Sequence, residues 1–249
     1  MSERGRVKVE IGHKRVRVMF SGTVVADTRH PRLVWERPYY PTYYIPAEDV
    51  RRELLVATGE SEHSPSRGDA HRMTLRVGDR AAEGSVGHRP GSPVADLVDT
   101  YVFDWTAMDH WFEEDEEVFV HARDPYKRVD ALRSSRHVRV EIDGVEVANS
   151  TSGVMLFETS LPPRHYLPKT DVRMDMLVPS RTETACPYKG VARHWSVQTG
   201  TSLHPDVVWG YDTPLPESAA IAGLVCFYDE RVDVWVDGAA QDRPQTVFS

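Results

Sequence analysis

The run Cys186-Pro187-Tyr188-Lys189-Gly190 sets a thiol three residues before an amine, and Arg193, His194 and Trp195 follow closely. A free thiol has a pKa of about 8.5 and becomes a useful nucleophile or ligand when nearby cations favour the thiolate. Lys189, Arg193 and His194 are near enough in sequence to supply that field. The other reading is a small buried or turn cysteine that does no chemistry. Glu158, at the end of an apolar run, is a second candidate. As a carboxylate beside apolar groups it could act as general acid or base; as a structural residue it would accept backbone N–H bonds or cap a turn. Arg164, Tyr166, Tyr188 and Tyr211 complete a set of aromatic, cationic and carboxylate side chains suited to a polar or anionic metabolite. Cys226, within Leu-Val-Cys-Phe-Tyr, reads as core.

Metal chemistry finds less support. His110 with Glu113 or Glu114, and His121 with Asp124, have plausible spacings, but four well-placed ligands do not assemble around either. Neither a metal nor any other cofactor is expected.

The elements that must hold these residues are doubled. Val16-Arg17-Val18, Gly22, Val25-Ala26 and Glu36 recur as Val138-Arg139-Val140, Gly144, Val147-Ala148 and Glu158, a constant spacing of 122 residues. The same spacing carries Tyr44, Pro46, Asp49 and Val50 onto Tyr166, Pro168, Asp171 and Val172, and Pro65, Gly68 and Ala70 onto Pro187, Gly190 and Ala192. Such self-similarity marks a tandem repeat. Within it Cys186 faces Ser64, Lys189 faces Arg67, Tyr188 faces Ser66 and Trp195 faces Met73, so the loop skeleton persists while its chemistry changes. A further match of Arg128-Val129-Asp130 to Arg231-Val232-Asp233 at a spacing of 103 implies extra length in the first copy. It predicts copies at 1–134, with an insertion at about 77–117, and at 135–249.

Each copy opens on a hairpin: apolar and polar residues alternate on both sides of Ser21-Gly22 and of Asp143-Gly144, pairs suited to a tight turn with positive φ. Third strands are expected at Arg32–Trp35 and Val154–Phe157, and later ones at Glu117–His121, Gly223–Tyr228 and Val232–Gly238. Short helices are expected in Tyr44–Leu55 and Tyr166–Leu177, where Pro stands near the start and Val50/Leu54 or Val172/Met176 are spaced four apart. Trp105–Glu117 could form another, with Met108, Trp111 and Phe112 on one side. The fold class predicted is mainly β: two tandem copies of a small β-rich domain, each with a short helix, related by pseudo-two-fold packing as an intramolecular pseudo-dimer.

Composition narrows the partners. A formal charge of −8 over 249 residues argues against non-specific nucleic-acid binding, which needs clustered Lys and Arg. The longest apolar stretch, Ala219–Tyr228, is about half of a bilayer span, and Met1–Glu10 has no apolar signal region, so no membrane partner and a cytoplasmic location are expected. Two cysteines cannot form a disulfide framework or a Cys-rich zinc site, and in a reducing compartment both stay free.

The motifs Phe112–Gly144, Phe157–Val172, Cys186–Gly190, His194–Val197 and Tyr228–Gly238 resemble the DUF427 family in its double-domain form. The resemblance implies a small, predominantly β domain of unknown function, one also labelled nucleotidyltransferase-like. For nucleotidyl transfer the residues offer little: no G-x-x-x-x-G-K-[ST], no Gly-Ser loop followed by D-x-D, and no strand leading into G-x-G-x-x-G. Asp171 with Asp175 is the nearest carboxylate spacing. The function expected is a small-molecule pocket in the second repeat. In an enzyme, Cys186 would be nucleophile, Glu158 acid or base, and Lys189 and Arg164 anion stabilisers, with Tyr166, Tyr188, Arg193, His194, Trp195 and Tyr211 binding the ligand. The alternative is a non-catalytic module that holds a ligand or peptide.

Overall fold

The computed structural model of the chain describes residues 7–246, and the chain divides into two compact units, Met1–Asp124 and Pro125–Ser249. Both hairpins form as their alternation requires. Val16–Phe20 pairs antiparallel with Thr23–Thr28, and Val138–Ile142 with Val145–Ser150. The turns carry φ of 50° and 70° at Ser21 and Gly22, and 52° and 73° at Asp143 and Gly144, two successive positive values as a type I′ turn demands. Each hairpin gains a strand from late in its unit, His110–Glu113 or Asp233–Val236, and then a two-residue strand, Glu116–Glu117 or Ala239–Ala240.

A second, seven-stranded sheet stands against each four-stranded one. In the first unit its order is Lys8–Ile11, Arg32–Trp35, Thr42–Pro46, Thr100–Phe103, Arg80–Arg89, Gly68–Val77, Leu55–Ser64. In the second it is Val129–Ser134, Gly153–Glu158, Arg164–Leu167, Val225–Phe227, Ser202–Gly210, Gly190–Thr199, Leu177–Cys186. The connectivity is identical and every pairing is antiparallel. Val16, Val18, Ile45, Leu75 and Phe103 fill one core, and Val138, Val140, Leu167, Val197 and Val225 the other. Each such side chain stabilises its unit by roughly 1.5–3 kcal/mol when fully buried. Period-two alternation then delivers Tyr166, Trp209 and Tyr211 to the opposite face of the second unit's large sheet, where they pack with Leu156, Ala192, Ile221 and Cys226.

The expected helices are reduced to pairs of single 3₁₀ turns, Ala47–Asp49 with Arg52–Leu54 and Lys169–Asp171 with Met174–Met176. The cause is tertiary. Val50 and Val172 are extended and bridge Ala26 and Ala148 of the hairpins, and Arg51 N donates to Val25 O at 3.0 Å, which interrupts a helix at its middle. Trp105–Glu117 likewise gives one 3₁₀ turn, Trp105–Ala107, followed by strand His110–Glu113, whose burial alternates. Of Glu117–His121 only Glu117 lies in a strand.

The register of the repeat also differs from the expectation beyond residue 77. Trp111 stands opposite Val18 as Val234 stands opposite Val140, so His110–Glu113 is the counterpart of Asp233–Val236. Arg128-Val129-Asp130 leads instead into the first strand of the second unit, where Asp130 faces Phe157 as Lys8 faces Trp35. Residues 77–117 are therefore not an insertion; they form strands that the second unit repeats. The units divide after Asp124 rather than after Ser134, because Val129–Ser134 runs along Gly153–Glu158. No helix among the described residues is long and apolar enough to cross a membrane.

Candidate functional site

Cys186 ends one long strand of the second unit and Gly190 begins the next, so Pro187-Tyr188-Lys189 is a hairpin turn. Gly190 has φ of 96°, and a Cβ there would lie 3.4 Å from Thr213 O. The 3₁₀ segment Pro216–Ile221 and its lead-in clamp the turn: Leu215 N donates to Lys189 O at 3.1 Å and Ser218 Oγ to Tyr188 O at 3.3 Å. Held this way, the Lys189 ammonium donates to the Glu158 carboxylate, with Cys186 near enough to act on its charge. The Lys189 and Glu158 side chains are only 12% and 8% exposed. Burial pulls the Lys189 pKa down, but the Cys186 and Glu158 charges beside it prevail, and it lies above the ordinary value. Tyr211 is pushed up by burial first and then by Cys186 and Glu158, and Tyr166, its ring 6.5 Å away, accepts from Trp209 Nε1 at 3.0 Å.

Thus Cys186, Lys189, Glu158 and Tyr211 converge, with Tyr166 behind them. Other expected members do not join. Arg164 is buried in a two-point ion pair with Glu230, at 2.8 and 2.5 Å, so its charge is already matched within the unit. Arg193 lies in solvent beside Asp212, 3.1 Å away. Trp195 packs with the inter-sheet core, and its ring is 5.4 Å from the Lys169 ammonium. Arg193 and Trp195 fall on the strand face opposite Ala192 and His194, since consecutive strand residues point apart. His194 is buried, its Nε2 2.9 Å from Thr184 Oγ1, and burial lowers its pKa. Tyr188 contributes its carbonyl to the clamp.

The carboxylates whose spacing suggested metal ligands are engaged locally. Asp171 accepts from Ser150 Oγ at 2.7 Å and Ser152 Oγ at 3.2 Å, and Asp175 pairs with Arg173. His110 Nδ1 lies 2.6 Å from Glu117. Among the described residues no group of three or more His, Cys, Asp or Glu could hold a metal ion.

The first unit builds the same arrangement from other residues. Arg67 pairs with Glu36, donates from Nε to Ser64 Oγ at 3.1 Å and from Nη1 to Tyr44 Oη at 2.8 Å. Tyr44 Oη donates to Glu36 at 2.6 Å, and burial together with Glu36 pushes its pKa up to about 12. Here a cleft of about 450 Å³ opens, lined by Glu36, Tyr44, Arg67 and Arg89 among others. Sequence reasoning passed over Arg89. His88 faces His71 as Gly210 faces Arg193, so the next residues, Arg89 and Tyr211, hold one position in two copies. Extending the 122-residue spacing past the identical pairs would have exposed that exchange.

A family model described as a domain of unknown function (DUF427) matches residues 8–114 and again residues 130–238. The chain belongs to the DUF427 family. Its two DUF427 segments begin at the strands Lys8–Ile11 and Val129–Ser134. They carry the Glu36 and Glu158 clusters at equivalent places. No curated protein matches the chain significantly.

Proposed function

We propose that this DUF427 chain binds a small polar or anionic metabolite, and that its second unit acts on that molecule through Cys186. One observation carries the reading: a nearly buried ammonium, Lys189, donates to the Glu158 carboxylate beside the Cys186 thiol, and the carboxylate and thiol stand at the ends of two different strands. A cation beside a thiol favours its thiolate, the nucleophilic form. Glu158 is placed to take or return a proton within the same group, and Tyr211 walls it on the side of the sheet. A reducing compartment such as the cytoplasm would keep Cys186, which is not in a disulfide, available.

The non-catalytic reading has its own support in the first unit. Ser64 replaces Cys186 there, and its hydroxyl accepts from a guanidinium, which is no base to activate it. Binding without covalent chemistry is the role assigned to that copy.

The test is alkylation by iodoacetamide near neutral pH, followed by peptide mass spectrometry that reads Cys186 and Cys226 separately. Cys226 is fully buried and serves as the internal reference. Cys186 is expected to react quickly in the wild type and roughly tenfold more slowly in Lys189→Met, a loss of about 1.4 kcal/mol of thiolate stabilisation. Equal inertness of the two cysteines, or a Cys186 rate indifferent to Lys189→Met, would remove the catalytic reading.

A further inference from the structure

The cleft of the first unit contains a cation that forms no ion pair among the described residues. Arg89 is 3% exposed and lines the cleft. Its Nη1 donates to Gly68 O at 2.6 Å, while its Nε is buried with no hydrogen-bond partner. Among the described residues no carboxylate lies within ion-pair distance of it; its guanidinium carbon sits 5.9 Å from the centre of the Tyr44 ring. Two other arginines around the cleft are paired. Arg67 pairs with Glu36 and Arg72 with Asp104, the latter at 2.7 Å, while Arg37 and Glu62 stand exposed at the rim. A buried guanidinium without an anion is costly. The second unit avoids that cost by placing neutral Tyr211 at the same position.

The walls add a shape. Tyr40 and His121 stack with ring centres 3.8 Å apart and planes 8° from parallel, and Trp105 and Trp111 stack at 4.4 Å and 3°. All four rings line the cleft. Flat aromatic walls beside a guanidinium suit a flat ligand that carries its negative charge at one end.

We propose that the first unit is an oxyanion site: Arg89 takes the carboxylate or phosphoryl group of a small ring-bearing molecule whose ring lies along the aromatic walls. The site is separate from the Cys186 group and does not depend on its chemistry. Guanidinium offers paired donors matched to either oxyanion, and the Arg89 Nε has no hydrogen-bond partner among the described residues.

Calorimetric titration of the full chain with benzoate, phenyl phosphate and neutral phenol tests this. Benzoate or phenyl phosphate is expected to bind, whichever is tighter naming the oxyanion, and phenol is expected to bind at least tenfold more weakly. Arg89→Gln should abolish the difference between the charged probes and phenol. Because that substitution touches a buried group, a second measurement uses the wild type alone: the arginine Nε–H resonances in a ¹⁵N spectrum, of which one should shift on saturation with the better probe. Phenol binding as well as the anions, no binding by either anion, or anion binding that moves no arginine Nε–H resonance would each overturn the proposal. Alkylation of Cys186 should be unchanged in Arg89→Gln, which keeps this result distinct from that of the second unit.

Discussion

Arg164 and Glu230 face each other inside the second unit, with Nη1 2.8 Å from Oε2 and Nη2 2.5 Å from Oε1. The pair is nearly closed to solvent, at 9% and 0% side-chain exposure, and Glu230 also accepts from Thr246 Oγ1 at 2.5 Å. Burial alone would raise the Glu230 pKa, but the Arg164 and Thr246 bonds outweigh it and hold it below the ordinary value.

Two expectations come from this pair. Glu230→Gln leaves a buried guanidinium half-satisfied and should lower unfolding free energy by about 3 kcal/mol, read as a shifted urea midpoint. Because the folded-state pKa is depressed, the wild-type pair contributes its full stability above the unfolded glutamate value of about 4.3, and that contribution fades as pH falls through the folded value. Urea midpoints between pH 7 and pH 3 should therefore converge for wild type and Glu230→Gln at the acid end. A constant gap across that range would show that Glu230 is not the group involved.

Asp143 and Gly144 show the hairpin chemistry without interference from packing. Gly144 has φ of 73°, and a Cβ added there would meet nothing within 4 Å; Gly22 repeats the situation at 70°. Alanine at either place meets only backbone strain, so Gly144→Ala and Gly22→Ala should each cost about 1 kcal/mol in chemical denaturation. A much larger loss at one of them would mean that its turn is held by more than its own φ.

Gly210 presents the opposite case. Its φ is not in the left-handed region, yet a Cβ would stand 2.5 Å from Leu224 O, on backbone that cannot swing aside. Gly210→Ala must push apart Ser202–Gly210 and Val225–Phe227 next to Tyr211, and a loss of about 2–3 kcal/mol is expected. Thermal denaturation checks the magnitude, and Tyr211 fluorescence or chemical shift should move with it. A loss no greater than that of Gly144→Ala would show that the strands yield.

What could be read from the residues follows from the range of the forces involved. Ser21-Gly22 and Asp143-Gly144 declared their hairpins because a two-residue turn and period-two alternation are local. Val50 and Leu54 suggested a helix because the bridge from Val50 to Ala26 comes from far along the chain. The triplet Arg128-Val129-Asp130 was too short to fix a register that cross-strand pairing actually sets. Cys186, Glu158 and Lys189 were legible as a group because the repeat kept their places. Arg193 and Trp195 were misjoined to them because neighbours in a strand part to opposite faces. Arg89 was hidden because identity between the copies, rather than exchange of a cation for a neutral ring, guided their comparison.

Glu158 and Cys186 compete for one ammonium, and the competition gives the sharpest test of the second unit. In the wild type Lys189 donates to Glu158, with the Cys186 thiol beside the same ammonium. Glu158→Gln removes the rival charge, so Lys189 should turn wholly to Cys186 and the thiolate fraction should rise. Iodoacetamide should then alkylate Cys186 several-fold faster at neutral pH, and the pH at half-maximal rate should move downward. If Glu158 instead serves as the base that draws the thiol proton, the same substitution must slow alkylation and move that midpoint upward. Lys189→Met slows the reaction under both schemes, so the sign of the change in Glu158→Gln alone decides whether the carboxylate restrains the thiol or activates it.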